Sequence, residues 1–142
     1  MKPVPINYLA VVAAAIASMV IGFVWYGPLF GKTWMKLSGT TPVKMDTAKA
    51  PGMGKTYVLA FVGSLVMSYV LAHSLVFAAA YYGMGGVSAG LMSGFWNWLG
   101  FIAPVTLAAV LWESKPWKLW VLTNGYYLVT LLVMGTILSA WK

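Results

Sequence analysis

Apolar positions fill this chain in four long runs separated by short polar breaks: Ile6–Tyr26, Tyr57–Tyr82, Ser88–Trp112 and Trp117–Trp141. Charged residues are confined to the breaks and the chain ends, apart from Lys118 at the edge of the last run. A hydrocarbon core about 30 Å thick is crossed by about 20 apolar residues at a helical rise of about 1.5 Å each. Each run reaches that length. Backbone amides have no water to bond inside lipid, so each run is predicted to be a helix. The expected fold class is all-α: a four-helix transmembrane bundle forming one integral membrane domain over residues 1–142, with a non-membrane segment at 27–56.

That segment begins with Gly27-Pro28, which is expected to end the first helix, because proline disfavours helix at the preceding residue. Phe30, Trp34 and Leu37 then recur at spacings of four and three, with Lys32 and Lys36 between them. This pattern predicts a short interfacial helix whose lysines reach the headgroups. Ser38–Met53 has no periodicity and reads as a flexible loop. The first apolar run is too long for a signal peptide and is read as retained.

Charge orients the bundle. All nine basic residues are lysines, against two acids, for a net charge of +7. Seven of them (Lys32, Lys36, Lys44, Lys49, Lys55, Lys115 and Lys118) fall on one side of a four-span topology, with Asp46 and Glu113. The positive-inside rule puts that side in the cytoplasm and both termini outside. The absence of arginine disfavours nucleic acid as a partner. The lysines are instead expected to meet lipid headgroups.

Helices in lipid associate where small residues let backbones approach. Ala10, Ala14, Ser18 and Gly22 mark such a stripe on the first helix. Ala60, Ser64, Ser68 and Ala72 mark one on the second, and Gly86, Gly90 and Gly94 one on the third. Gly135 and Ser139 form a weaker one on the fourth. These are the candidate packing or subunit interfaces. Asn97 and Asn124 are expected to bond across helices, since a buried amide in lipid needs partners.

His73, the only histidine, lies roughly 160° from its helix's small-residue stripe. It has three readings: a structural hydrogen bond, with Asn97 at similar depth as one partner; contact with a pore or a neighbouring subunit; or ligation of a haem or pigment metal. Catalysis is not expected. One histidine and two acids at opposite depths cannot assemble a carboxylate pair, a triad or a metal cluster. Gly52-Met53-Gly54-Lys55-Thr56 lacks the first glycine and the preceding strand of a phosphate loop. No cofactor is expected apart from the haem or pigment alternative.

The run WYGPLFGKTWM, Trp25–Met35, following an Asn-led apolar helix, resembles the opening signature of the domain-of-unknown-function 1761 family. The Gly-rich third run, the turn Trp112–Pro116 and Asn124-Gly125-Tyr126 agree with it in kind. The resemblance covers nearly the whole chain. It implies a small multi-span prokaryotic membrane protein with no assigned activity, and marks Trp25, Tyr26, Gly27, Pro28, Gly31 and Trp34 as the signature. Physically these residues suggest a helix stop and an interfacial anchor.

Two functions from different classes follow. One is a non-catalytic accessory or structural subunit, packing against itself or a larger membrane complex such as a respiratory or photosynthetic one. The other is a homo-oligomeric channel or passive transporter lined by His73 and Asn97.

Overall fold

A computed structural model of the chain describes residues 4–40 and 52–141. Most of the Ser38–Met53 loop, with Lys44, Asp46 and Lys49, lies outside the described residues, as do Lys2 and Lys142. The described residues form four long apolar helices, α1 (Tyr8–Leu29), α3 (Met53–Tyr82), α4 (Gly86–Leu111) and α5 (Trp117–Ala140). A short amphipathic helix, α2 (Gly31–Ser38), follows the first. The all-α bundle with a short helix after the first span is therefore the fold.

Adjacent pairs α1–α3, α3–α4, α4–α5 and α1–α5 close a ring, and α3 touches α5 across the diagonal. The stripes supply the contacts. Ala10, Ala14 and Ser18 are buried, as are Ser64, Ser68 and Ala72. Ser68 donates to the Val11 carbonyl at 2.9 Å, and the Ser18 and Ser64 hydroxyls lie 3.3 Å apart. The small residues thus let α1 and α3 close to hydroxyl-bonding distance. Two stripe ends take no part, since Ala60 and Gly86 are exposed.

The α4–α5 contact is the most extensive. A Cβ at Gly90 would run into the Gly135 carbonyl and the Ser139 hydroxyl, and one at Gly135 into the Gly90 carbonyl. A Cβ at Gly94 would lie 2.5 Å from the Leu131 carbonyl oxygen. Backbone meets backbone along this seam, which leaves room for glycine alone. Met134 and Thr130, fully buried, fill the middle of the bundle.

Two helices bend where the sequence pattern reads as uniform or ended. Gly27-Pro28 does not stop α1. A π-helical turn over Trp25–Leu29 carries the chain through the proline, with the Phe30 amide donating to the Trp25 carbonyl at 2.8 Å. Proline lacks an N–H and crowds the carbonyl four residues back, and the wider turn absorbs both defects. In α4 the same device precedes Pro104: a π turn over Trp98–Ile102, then a further break at Leu107. The helix ends also differ from the apolar runs. α3 begins at Met53 rather than Tyr57, because Thr56 donates its amide to Gly52 at 3.1 Å and Lys55 continues the helix beyond the apolar zone.

Gly90→Ala is expected to destabilise the bundle by about 1–3 kcal/mol through overpacking against the Gly135 carbonyl. Gly63→Ala, with open space around its Cα, is the matched control and should leave stability unchanged or slightly raised. Thermal unfolding of the detergent-solubilised protein, followed by loss of monodisperse material, reads both.

Candidate functional site: the signature elbow, the polar bridges and the interhelical clefts

The turn after α1 brings the signature residues together. Gly31, buried, sits so close to the Tyr26 carbonyl that a Cβ there would lie 2.6 Å from the oxygen. The chain can therefore fold sharply from the π turn into α2. Tyr26 packs edge-on against Trp34, with ring centroids 5.9 Å apart, and Trp25 lies 4.7 Å from Phe30. Gly27 has nothing within 4 Å, so no contact requires glycine there. Pro28 sits inside the π turn.

The elbow then grips α5. The Trp25 indole N–H donates to the Leu122 carbonyl at 3.2 Å, and its ring lies over Gly125, where a Cβ would come within 3.2 Å. Tyr126 packs on Tyr26 at 5.1 Å, and its hydroxyl lies against Gly22. The opening signature and the Asn124-Gly125-Tyr126 stretch, some 100 residues apart in sequence, are one structural unit. From α4, the Trp98 indole donates to the Asn124 carbonyl at 3.1 Å. Two tryptophans from different helices thus hold α5 by backbone carbonyls two residues apart. Trp98 is not among the residues the sequence pattern singles out. Its indole N–H, which needs an acceptor when buried, was the available signal.

The intramembrane amides bridge helices. Asn97 donates to the Ser74 hydroxyl of α3 at 3.0 Å and to the Ser93 carbonyl one turn back at 2.8 Å. Asn124 donates to Thr106 of α4 at 2.9 Å and to the Trp120 carbonyl at 3.1 Å.

His73 does not pair with Asn97. Its Nδ1 lies 2.9 Å from the Tyr69 carbonyl of its own helix, and its ring stands edge-on to Tyr69 at 4.4 Å. A carbonyl can only accept, so Nδ1 carries the hydrogen and Nε2 is the free acceptor. The partner is local because a residue one turn back always offers its carbonyl to that face. No group of three or more potential metal ligands exists among the described residues.

Among the described residues, a shallow and almost wholly apolar hollow of about 390 Å³ lies beside Ile16, Val20 and Phe61, and three further clefts with polar residues in their lining open between the helices. The largest, about 560 Å³, is at the termini end and reaches Asn7 and Trp141. Its amide is committed, since Asn7 caps α1 through Leu9 and Ala10 and donates to the Trp141 carbonyl at 3.3 Å. The second, about 340 Å³, lies between α3 and α4 and is lined by Ser74, Tyr82, Met92, Trp96 and Asn97 among others. Here the Asn97 Oδ1 takes no hydrogen bond from a described residue, and Trp96 projects 59 % exposed beside it. The third, about 320 Å³, lies between the far ends of α4 and α5.

Four apolar helices of spanning length, bridged by amides and hydroxyls at membrane depth, define a multi-span membrane protein. The chain belongs to the family described as protein of unknown function (DUF1761), whose model matches residues 9–139. No curated protein and no solved structure matches it.

His73→Ala should change thermal stability by less than about 0.5 kcal/mol, because the side chain bonds only its own helix. Asn124→Ala, which breaks the α4–α5 bridge, should cost about 0.6–1.7 kcal/mol. Unfolding of the purified variants in a mild detergent distinguishes the two.

Proposed function

We propose that the protein is a non-catalytic membrane subunit that pairs with a second copy of itself through the α3/α4 face. On this reading it sits in a prokaryotic inner membrane with its lysine-rich end in the cytoplasm and both termini outside. Lipids are its other partners.

The observation that carries the proposal is the juxtaposition of Trp96 and Asn97. One is an exposed ring with an indole N–H that no described residue accepts. The other is an amide oxygen that no described residue donates to, on a residue that lines the same cleft as that ring. In hydrocarbon an unmet donor and an unmet acceptor each carry a desolvation cost. A two-fold axis places residue i against j and j against i. Trp96 of each copy would then enter the cleft of the other and donate to Asn97 Oδ1, meeting four groups with two bonds. The ring would also fill the cleft, and van der Waals packing is the main source of helix association in lipid.

The small-residue stripes support this assignment by exclusion, since Ala10, Ala14, Ser18, Gly90 and Gly94 are spent inside the bundle. A channel lined by His73 and Asn97 has less support. The two do not face a common space, and Met134 and Thr130 fill the middle of the bundle. A non-catalytic role accords with the supply of titratable groups, two acids and one histidine in the entire chain.

The chain has no cysteine, so Met92→Cys, on the cleft wall, tests the interface in native membranes. Oxidation with a copper–phenanthroline reagent should give a disulfide-linked pair of this chain, and Trp96→Ala in the same background should abolish it. Ile16→Cys, on the outer face of α1, should stay monomeric. Linkage of Met92→Cys to a foreign polypeptide, or pairing indifferent to Trp96→Ala, would contradict self-association through this face.

A further inference from the structure

The cleft between the far ends of α4 and α5 holds the least reconciled chemistry in the bundle. Its lining includes Thr106, Trp120, Thr123 and Asn124, with Glu113 and Lys115 at its exposed end. Three buried side-chain polar atoms lack a partner among the described residues: Trp120 Nε1, Asn124 Oδ1 and the Thr130 hydroxyl. Two of the three residues line this one cleft. Asn124 is only 2 % exposed. Its orientation is fixed, because Nδ2 already donates to Thr106 and to the Trp120 carbonyl, so Oδ1 is an acceptor left over. Thr106 in turn spends its hydrogen on the Ile102 carbonyl at 2.7 Å and cannot serve that oxygen.

The backbone is irregular at the same place. α4 passes a π turn, Pro104 and the break at Leu107 on its way to Thr106 and Ala108. Interrupted helices at membrane depth occur where the chain lines a cavity, and π turns recur at functional sites. An unpaired indole N–H and amide oxygen one turn apart on α5, against a broken α4, make a donor and acceptor pair for a guest.

We propose that this cleft binds a small, uncharged solute carrying a hydrogen-bond acceptor and donor within a few ångströms of each other, that is, a hydroxyl or carboxamide compound. The acceptor takes the Trp120 N–H and the donor meets Asn124 Oδ1. Charge is excluded by the lining, which offers no counter-ion beyond the rim. The rim carries one acid and one base, Glu113 and Lys115, so it favours neither sign of ion. The size is right for such a guest: about 320 Å³ equals the liquid volume of about ten waters at roughly 30 Å³ each. Both orphan atoms are covered in this conformation, so entry requires the half-buried Trp120 ring to swing aside. The proposal does not depend on pairing through the α3/α4 face, which lies on other residues.

Thr123→Cys, the sole thiol in the chain, reports on the cleft in nanodiscs through its rate of reaction with a small water-soluble methanethiosulfonate. Glycerol and acetamide are the probe solutes. Labelling should proceed without denaturant and slow as solute is added, by about tenfold at about ten times the solute Kd. Sodium acetate at equal concentration should protect little. Trp120→Phe removes the unpartnered N–H together with the five-membered ring and leaves an aromatic ring in place. It should fold normally and lose the protection. No labelling of Thr123→Cys, equal rates with and without both solutes, or protection that survives Trp120→Phe would each overturn the proposal. In the last case, a higher unfolding temperature for Trp120→Phe would mark that N–H as a simple packing defect.

Discussion

Backbone contact between Gly90 and Gly135 is the constraint on which the rest of the bundle depends. Lipid gives helices little hydrophobic reason to associate, so they are held by close approach and by the few polar bonds that approach permits. With Gly94 set on the Leu131 carbonyl, the α4–α5 seam brings Trp98 to the Asn124 carbonyl and Asn124 to Thr106. A side chain at either glycine would push the helices apart and lengthen both bridges. The α1–α3 pair repeats the logic with serines, where the space saved by a small residue is spent on a hydroxyl bond. The elbow after α1 then locks the two pairs together, since Trp25 and Tyr26 grip α5 at Leu122 and Tyr126.

Within this frame most buried intramembrane polar groups have a partner; of the exceptions, the Thr130 hydroxyl lies alone in the middle of the bundle and two pairs lie where function is proposed. Trp96 and Asn97 leave one donor and one acceptor on the outer α3/α4 face. Trp120 and Asn124 leave one of each inside the α4–α5 cleft. The first pair lies at an exposed face and the second is covered, so the occupants proposed for them are a neighbouring chain and a small solute respectively. His73 is the only histidine, yet it joins no other helix: its Nδ1 bonds the Tyr69 carbonyl of its own helix, and its Nε2 has no partner among the described residues.

Much of the architecture was legible in the sequence because it rests on one-dimensional quantities. Run length against bilayer thickness identifies four spans, and a period of four among small residues identifies the faces of Ala14, Ser68 and Gly90. The spacing of Phe30, Trp34 and Leu37 marks α2. What was not legible depends on relations that spacing does not encode. Gly27-Pro28 reads as a helix stop, and the π turn that passes through it depends on room found only in the folded elbow. The unity of Trp25 with Leu122 and Gly125 requires knowing that α1 and α5 are neighbours. The His73 bond depends on a rotamer choice between a distant amide and its own carbonyl. The clefts depend on side chains that fail to meet, and a sequence reports which residues exist without reporting the gaps between them.

The central claim is that the bundle is self-contained and pairs with its own kind. Native mass spectrometry of the particle released from its membrane in mild detergent addresses it directly. The account predicts two copies of the 15.4 kDa chain, with bound lipid and no other polypeptide. A particle holding this chain once, alone or among foreign subunits, would contradict it.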